Sequence, residues 1–98
     1  MNVSFADRDL QRLEIDVAFA AGYSRSVVKA FRKRMQLIRA ARDERDLRVL
    51  KSLHFERLMG NRRHQHSLRL NDQWRLIVEI QDRAEGRALV VVEIADYH

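Results

Sequence analysis

The spacing of apolar residues changes along this chain, and the changes mark its elements. Asn2-Val3-Ser4-Phe5 alternates polar with apolar and predicts a short opening strand. Asp7 then suits a helix N-cap, and Leu10, Leu13, Val17 and Ala20 or Ala21 recur at helical spacing until Gly22 offers a stop. Ser24 opens a second helix with an apolar stripe of Val27, Val28, Phe31, Met35 and Ile38. Arg25, Lys29, Arg32, Lys33, Arg34, Arg39 and Arg42 accompany that stripe with no acid among them, which predicts one cationic face. Asp43 begins a shorter helical stretch to Ser52, with Leu47 and Leu50 placed to turn inward. From Leu53 to Gln65 no period is clean, and Gly60-Asn61 marks a turn.

Period two then takes over. His66 to Leu70 and Trp74 to Ile80 read as strands joined tightly through Asn71-Asp72-Gln73. Gln81 to Arg87 reads as a polar hairpin loop, and the β-branched run Ala88 to Ala95 as a further strand. One strand, two or three helices and an antiparallel meander make an α+β domain with the helices packed on one sheet face. If Leu68, Leu70, Trp74, Leu76, Val78 and Ile80 face the helices, Ser67, Arg69, Asn71, Arg75 and Glu79 project from the other side. The same parity turns Val90, Val92 and Ile94 inward and puts Glu93 and Tyr97 beside the arginines. It would also bury Asp96 and His98, so the last strand is expected to end or bulge before them.

At 98 residues the chain is expected to be a single domain, residues 1–98. The absence of cysteine excludes a disulfide-stapled fold and thiolate metal sites. No apolar run approaches the ~20 residues of a membrane helix, and charged Asp7, Arg8 and Asp9 interrupt any leader-like stretch. A cytoplasmic location without membrane partners is therefore expected.

Charge changes the picture further. Residues 25–75 hold fifteen basic and five acidic side chains, whereas the flanking segments are both net acidic. Such a field attracts polyanions, and the excess of sixteen arginines over three lysines suits phosphate recognition. Cleaving RNA without a metal needs a base for the 2′-hydroxyl, an acid for the leaving 5′-oxygen and positive charge at the phosphorane. His54, His64, His66 and His98 are the four histidines suited to proton transfer, and Arg62, Arg63, Arg69 and Arg75 lie near two of them in sequence. His64-Gln-His66 is a lone pair without cysteines or paired carboxylates, so no metal or other cofactor is expected. The three isolated glycines make no phosphate-cradling loop.

The segment Gly60-Asn-Arg-Arg-His-Gln-His-Ser-Leu-Arg-Leu-Asn-Asp-Gln-Trp-Arg-Leu76, followed by Val92-Glu-Ile-Ala-Asp-Tyr-His98, resembles the signature of the HigB toxins, the plasmid-maintenance killer proteins. Val3-Ser4-Phe5 and Asp43 to Leu47 fit that family more loosely. The resemblance implies a RelE-like microbial ribonuclease fold and ribosome-dependent cleavage of messenger RNA in the A site. It also implies a HigA-like antitoxin with a helix-turn-helix domain, through which the complex would reach operator DNA. By position, Arg75 resembles the family's phosphate-stabilising arginine. Asp96, Tyr97 and His98 resemble its C-terminal catalytic group, with His98 as the proton-transfer residue. RNA docking then falls to Lys29, Arg32 and Lys33 on the basic helix and to Arg57, Arg62, Arg63, His64, His66 and Arg69 in the central segment. Met59 stands where some relatives carry a lysine, with Arg57 near enough to replace the charge, and His64 stands where many have glycine. Met59 also supports an alternative, a non-catalytic RNA- or ribosome-binding module of the same fold.

Overall fold

The computed structural model describes residues 1–96; Tyr97 and His98 lie outside the described residues. The order is β1 (Asn2–Phe5), α1 (Arg8–Ile15), α2 (Arg25–Ala40), α3 (Glu44–Arg48), β2 (Glu56–Arg57), β3 (Gln65–Arg69), β4 (Trp74–Arg83) and β5 (Gly86–Asp96), with short 3-10 turns at Lys51–Leu53 and Gly60–Arg62. The strands form one sheet in the order β1-β5-β4-β3-β2. β2 through β5 pair antiparallel, while β1 runs parallel to β5; α1 and α2 carry the chain across one face from β1 at one edge toward β2 at the other. None of the helices among the described residues is long and apolar enough to cross a membrane.

Local chemistry explains the helix limits. Asp7 accepts hydrogen bonds from the amides of Asp9 and Leu10, starting α1 as expected. The helix stops at Ile15, well short of Gly22, because Asp16 turns its carboxylate to the Ala18 amide and the Arg12 guanidinium. Val17, expected on the buried stripe, is consequently exposed. Ser24 caps α2, whose Val27, Val28, Phe31, Met35 and Ile38 are all buried. The expected third helix also breaks early: Asp43 caps α3, which ends at Arg48, and Leu53 in the following 3-10 turn is buried while Leu50 stays exposed.

The helices cover the sheet face carrying Leu68, Leu76, Val78, Leu89, Val91 and Ile94, and these join α2 in one core. Trp74 and Ile80 pack at its margins. The β4–β5 ribbon is longer than expected. Arg83 pairs with Gly86, so most of the polar stretch read as a loop is strand, with Ala84-Glu85 as the turn. Its polarity follows from solvent exposure rather than irregular backbone, and Gly86 supplies the positive φ of 117° that the turn requires.

Parity in β5 also differs from expectation. Ile77 pairs with Glu93 but Val78 with Val91, leaving Val92 as the extra residue of a bulge. Before it the odd residues Leu89 and Val91 face the core, and after it the even residue Ile94 does. Val90 and Val92 are therefore not core residues; the bulge expected ahead of Asp96 falls at Val92, and the strand continues through Asp96, which pairs with Trp74 and is exposed.

Candidate functional site

The sheet face turned away from the helices carries two polar groups separated by Ile77. Toward the chain end, Arg69 on β3 is the register partner of Arg75 on β4, and Arg75 is the partner of Ala95 on β5. Three neighbouring strands thus line up two guanidinium-bearing residues with the segment leading to Tyr97 and His98. Asn71 holds the β3–β4 connection by accepting hydrogen bonds from the amides of Gln73 and Trp74. Asp96 accepts from Gln73 Nε2 at 3.2 Å, tying β5 to that connection.

The two arginines are braced differently. Arg75 Nη1 donates to the carbonyl of His54 at 3.3 Å, reaching from β4 past β3 to the turn just ahead of β2. Arg69 pairs with Asp72, and its carbonyl accepts from Arg34 Nε at 2.8 Å. Burial holds the Arg34 pKa below its ordinary value, with the Arg69 charge adding to the effect.

The second group closes over the centre of the same face. Arg62 Nε donates to Gln65 Oε1 at 2.8 Å and Nη2 to Glu93 Oε1 at 3.0 Å. Gln65 Nε2 in turn donates to Glu79 Oε2 at 3.0 Å. Because Gln65 belongs to β3 and Glu93 to β5, Arg62 spans β4, and Ile77 is buried although it points away from the helices. His64 Nε2 lies 3.9 Å from Glu79 at the edge of this network.

His66 and Arg57 belong to the opposite face. They are register partners across β2 and β3, on the side of Val78 and the core. The His66 ring stacks on Phe55 with centroids 4.9 Å apart, Arg48 sits over the Phe55 ring at 5.4 Å, and His66 Nδ1 is buried with no partner among the described residues. Burial, then the charges of Arg48 and Arg57, push the His66 pKa below its ordinary value against a smaller opposing pull from Glu44. The environment thus favours the neutral imidazole over the charged one.

Around it opens a shallow depression of about 380 Å³ lined by Arg48, Arg57, Arg63, His64 and Arg87. Arg57 Nε donates to the Arg63 carbonyl at 2.7 Å, while Glu44 is taken up by Arg87 at 2.9 Å. The sequence cluster of histidines and arginines therefore divides between two faces: Arg62, Arg69 and Arg75 on one, Arg57 and His66 on the other. Arg48, Glu44 and Arg87 join the second group unanticipated. The first two lie on α3, and Arg87 lies in the stretch read as loop; only the tertiary fold brings them together.

On the basic helix, Arg32 is committed inward. Its Nε donates to the Leu13 carbonyl at 2.9 Å, and Nη2 donates to the carbonyls of Asp16 at 2.8 Å and Phe19 at 3.2 Å. Lys29 and Lys33 remain exposed on the helix layer, away from the Arg75 face. Among the described residues no three His, Asp or Glu side chains converge in a geometry suited to a metal ion.

Two comparisons bear on this arrangement. Residues 3–98 match the family model of the RelE-like toxin of the type II toxin-antitoxin system HigB. The fold is similar to that of a YoeB/ParE toxin from Agrobacterium tumefaciens, with a TM-score of 0.60, 13% sequence identity and full coverage of both chains. No curated protein matches at a significant level.

Proposed function

The chain belongs to the RelE-like HigB toxins of type II toxin–antitoxin systems, and from that premise we propose that it is a ribosome-dependent endoribonuclease that inhibits translation by cutting messenger RNA in the A site. Membership implies an antitoxin partner. The finer reading is a HigA-like helix-turn-helix antitoxin that carries the complex to operator DNA, with the toxin acting in the cytoplasm.

The observation that carries the ribonuclease reading is the register row of Arg69, Arg75 and Ala95 on the helix-free face, beside the expected chemical groups of the chain end. In-line attack by a 2′-hydroxyl builds negative charge on the phosphorane oxygens, which a braced guanidinium such as Arg75 stabilises without reorganising. His98 is the proton-transfer group in this scheme, with Tyr97 and Asp96 its companions, and the chemistry runs without a metal. Arg57, Arg63, His64 and His66, with Arg48 and Arg87, supply an RNA-docking edge around β2. Arg69 and Arg62 flank the message on the reacting face. The basic helix contributes Lys29 and Lys33 to the general field, while Arg32 is engaged in holding α1.

Exposed Met59 favours a second reading, because it puts a thioether where some relatives carry a lysine. In that case the protein occupies the ribosome without cutting. Mapping message ends in a translating extract separates the two. Arg75→Ala and His98→Ala are each expected to lower cleavage by roughly two to four orders of magnitude at matched ribosome occupancy. Full cleavage by both variants would remove the proposed site, and absence of cleavage by the parent protein with intact ribosome binding would establish the second reading.

A further inference from the structure

Of the six cations on α2, three are spent inside the molecule. Arg32 holds three carbonyls, Arg34 donates to the Arg69 carbonyl, and Arg39 forms a two-pronged pair with Glu14 at 2.6 and 2.7 Å. The other three, Arg25, Lys29 and Lys33, have no carboxylate within ion-pair distance among the described residues. Their spacing of four residues puts them on one side of the helix, about one turn apart, over a span of roughly 12 Å.

This rail borders a groove of about 470 Å³ between α2 and the loop after α1, with Val17, Ala18, Phe19, Tyr23 and Val28 among its lining residues. The loop owes its shape to the same features that ended α1, the Asp16 turn and the Arg32 clamp. Val17 is 86% exposed and Ile15 nearby is 76% exposed, so the loop presents apolar surface that the described residues do not cover. Its aromatic rings are already engaged. Arg12 sits 4.1 Å from the Phe19 centroid, and Tyr23 meets Trp74 edge-on at 6.1 Å. The groove thus offers aliphatic contact beside a row of positive charge, rather than open rings on which bases would stack.

We infer that this groove is the seat of an acidic amphipathic segment of the antitoxin partner. Such a segment lays leucine- or valine-like side chains on Val17 and Ala18 and aligns carboxylates, spaced three or four residues apart, with Arg25, Lys29 and Lys33. Charge complementarity selects the acidic partner, and the apolar floor distinguishes a peptide from an RNA backbone. The groove lies on the helix layer, so its occupant leaves the Arg75 face uncovered. This inference rests on the antitoxin partnership implied by the family, not on RNA cleavage.

The probe is a designed helical peptide of about five turns that carries a leucine stripe flanked by glutamates at i, i+4 and i+8, without tryptophan or tyrosine. Trp74, the single tryptophan, touches groove-lining Tyr23 and reports binding by its emission, with calorimetry as an independent measurement. The peptide is expected to bind the intact protein. The double variant Lys29→Glu/Lys33→Glu should weaken it about tenfold or more and gain affinity for a matched peptide with lysines in place of the glutamates. Val17→Asp should weaken the acidic peptide as well.

Equal binding of the acidic peptide by parent and double variant would overturn the inference. Displacement of the peptide by a twelve-nucleotide single-stranded RNA would instead make the groove an RNA surface. Cleavage is not read in any of these arms, so their failure leaves the ribonuclease reading standing, and inactivity in the message assay leaves the groove standing.

Discussion

Replacing Arg32 by alanine tests whether this cation of the basic helix is a structural clamp or an RNA contact. The guanidinium gathers three carbonyls, those of Leu13, Asp16 and Phe19, at 2.9, 2.8 and 3.2 Å. Leu13 lies in the last turn of α1, Asp16 is its C-cap, and Phe19 lies in the loop beyond. A helix C-terminus leaves carbonyls without intrahelical donors and carries partial negative charge, so a cation there is favourable twice over. Hydrogen bonds to charged groups contribute about 1.5–3 kcal/mol each. After truncation, water reaches part of the space and the cost of ordering the long arginine side chain is no longer incurred, so the low end applies. The two shorter bonds then give ~3 kcal/mol, and restored entropy of about 1 kcal/mol offsets some of this. The expected loss is ~2 kcal/mol, or roughly 8–16 °C in Tm for a domain of this size. Urea unfolding followed by Trp74 emission and far-ultraviolet circular dichroism measures it. Arg32→Lys can satisfy only part of the set and should recover less than half. A loss below about 0.5 kcal/mol, the usual range for an unengaged surface residue, would refute the clamp. Reduced ribosome affinity at unchanged stability would return Arg32 to the RNA surface.

Further outcomes follow from the same geometry. Ribosome binding should weaken steeply with salt, and Arg48→Glu, Arg57→Glu and Arg63→Glu together should lower affinity and flatten that salt slope; an unchanged slope would remove this edge from the docking surface. His66 has a folded pKa below its unfolded value, so the unfolded chain takes up the proton first: stability is full above pH 6.5 and falls as pH drops through 6.5 toward the folded pKa. Denaturation across pH 7.5 to 5 should show that loss for the parent and a smaller one for His66→Phe, and equal slopes would place the titration elsewhere. Deleting Val92 keeps every recorded pair of β4 with β5 but removes the bulge; the variant should fold within about 1–2 kcal/mol of the parent. With the pairs kept, the loss of the bulge's local bend and twist should still re-aim the chain end and lower message cleavage at least tenfold; full activity would show that the bulge does not aim the reacting groups.

Legibility in the sequence followed the reach of each interaction. The α2 stripe and the inward face of β3 and β4 were readable because one face of each meets the core, so period reports burial. Helix ends were less readable, since a single side chain such as Asp16 or Arg32 acts over a few ångströms and leaves no periodic trace. Alternation put Arg75 on the same face as Arg69, as the register does. Alternation failed in β5 because Val, Ile and Leu occupy both parities there, so hydrophobicity alone does not reveal where one extra residue enters. That residue, Val92, decides more than packing. Carrying the parity of Leu89 and Val91 forward without a bulge would turn Glu93 into the core and Ile94 outward, costing a buried charge and an exposed apolar chain. With Val92 unpaired, Glu93 reaches Arg62, Ile94 is buried, and Ala95 arrives beside Arg75. The packing of the core and the alignment of the candidate site thus share one local cause, which is why the proposed chemistry depends on a residue that carries none of it.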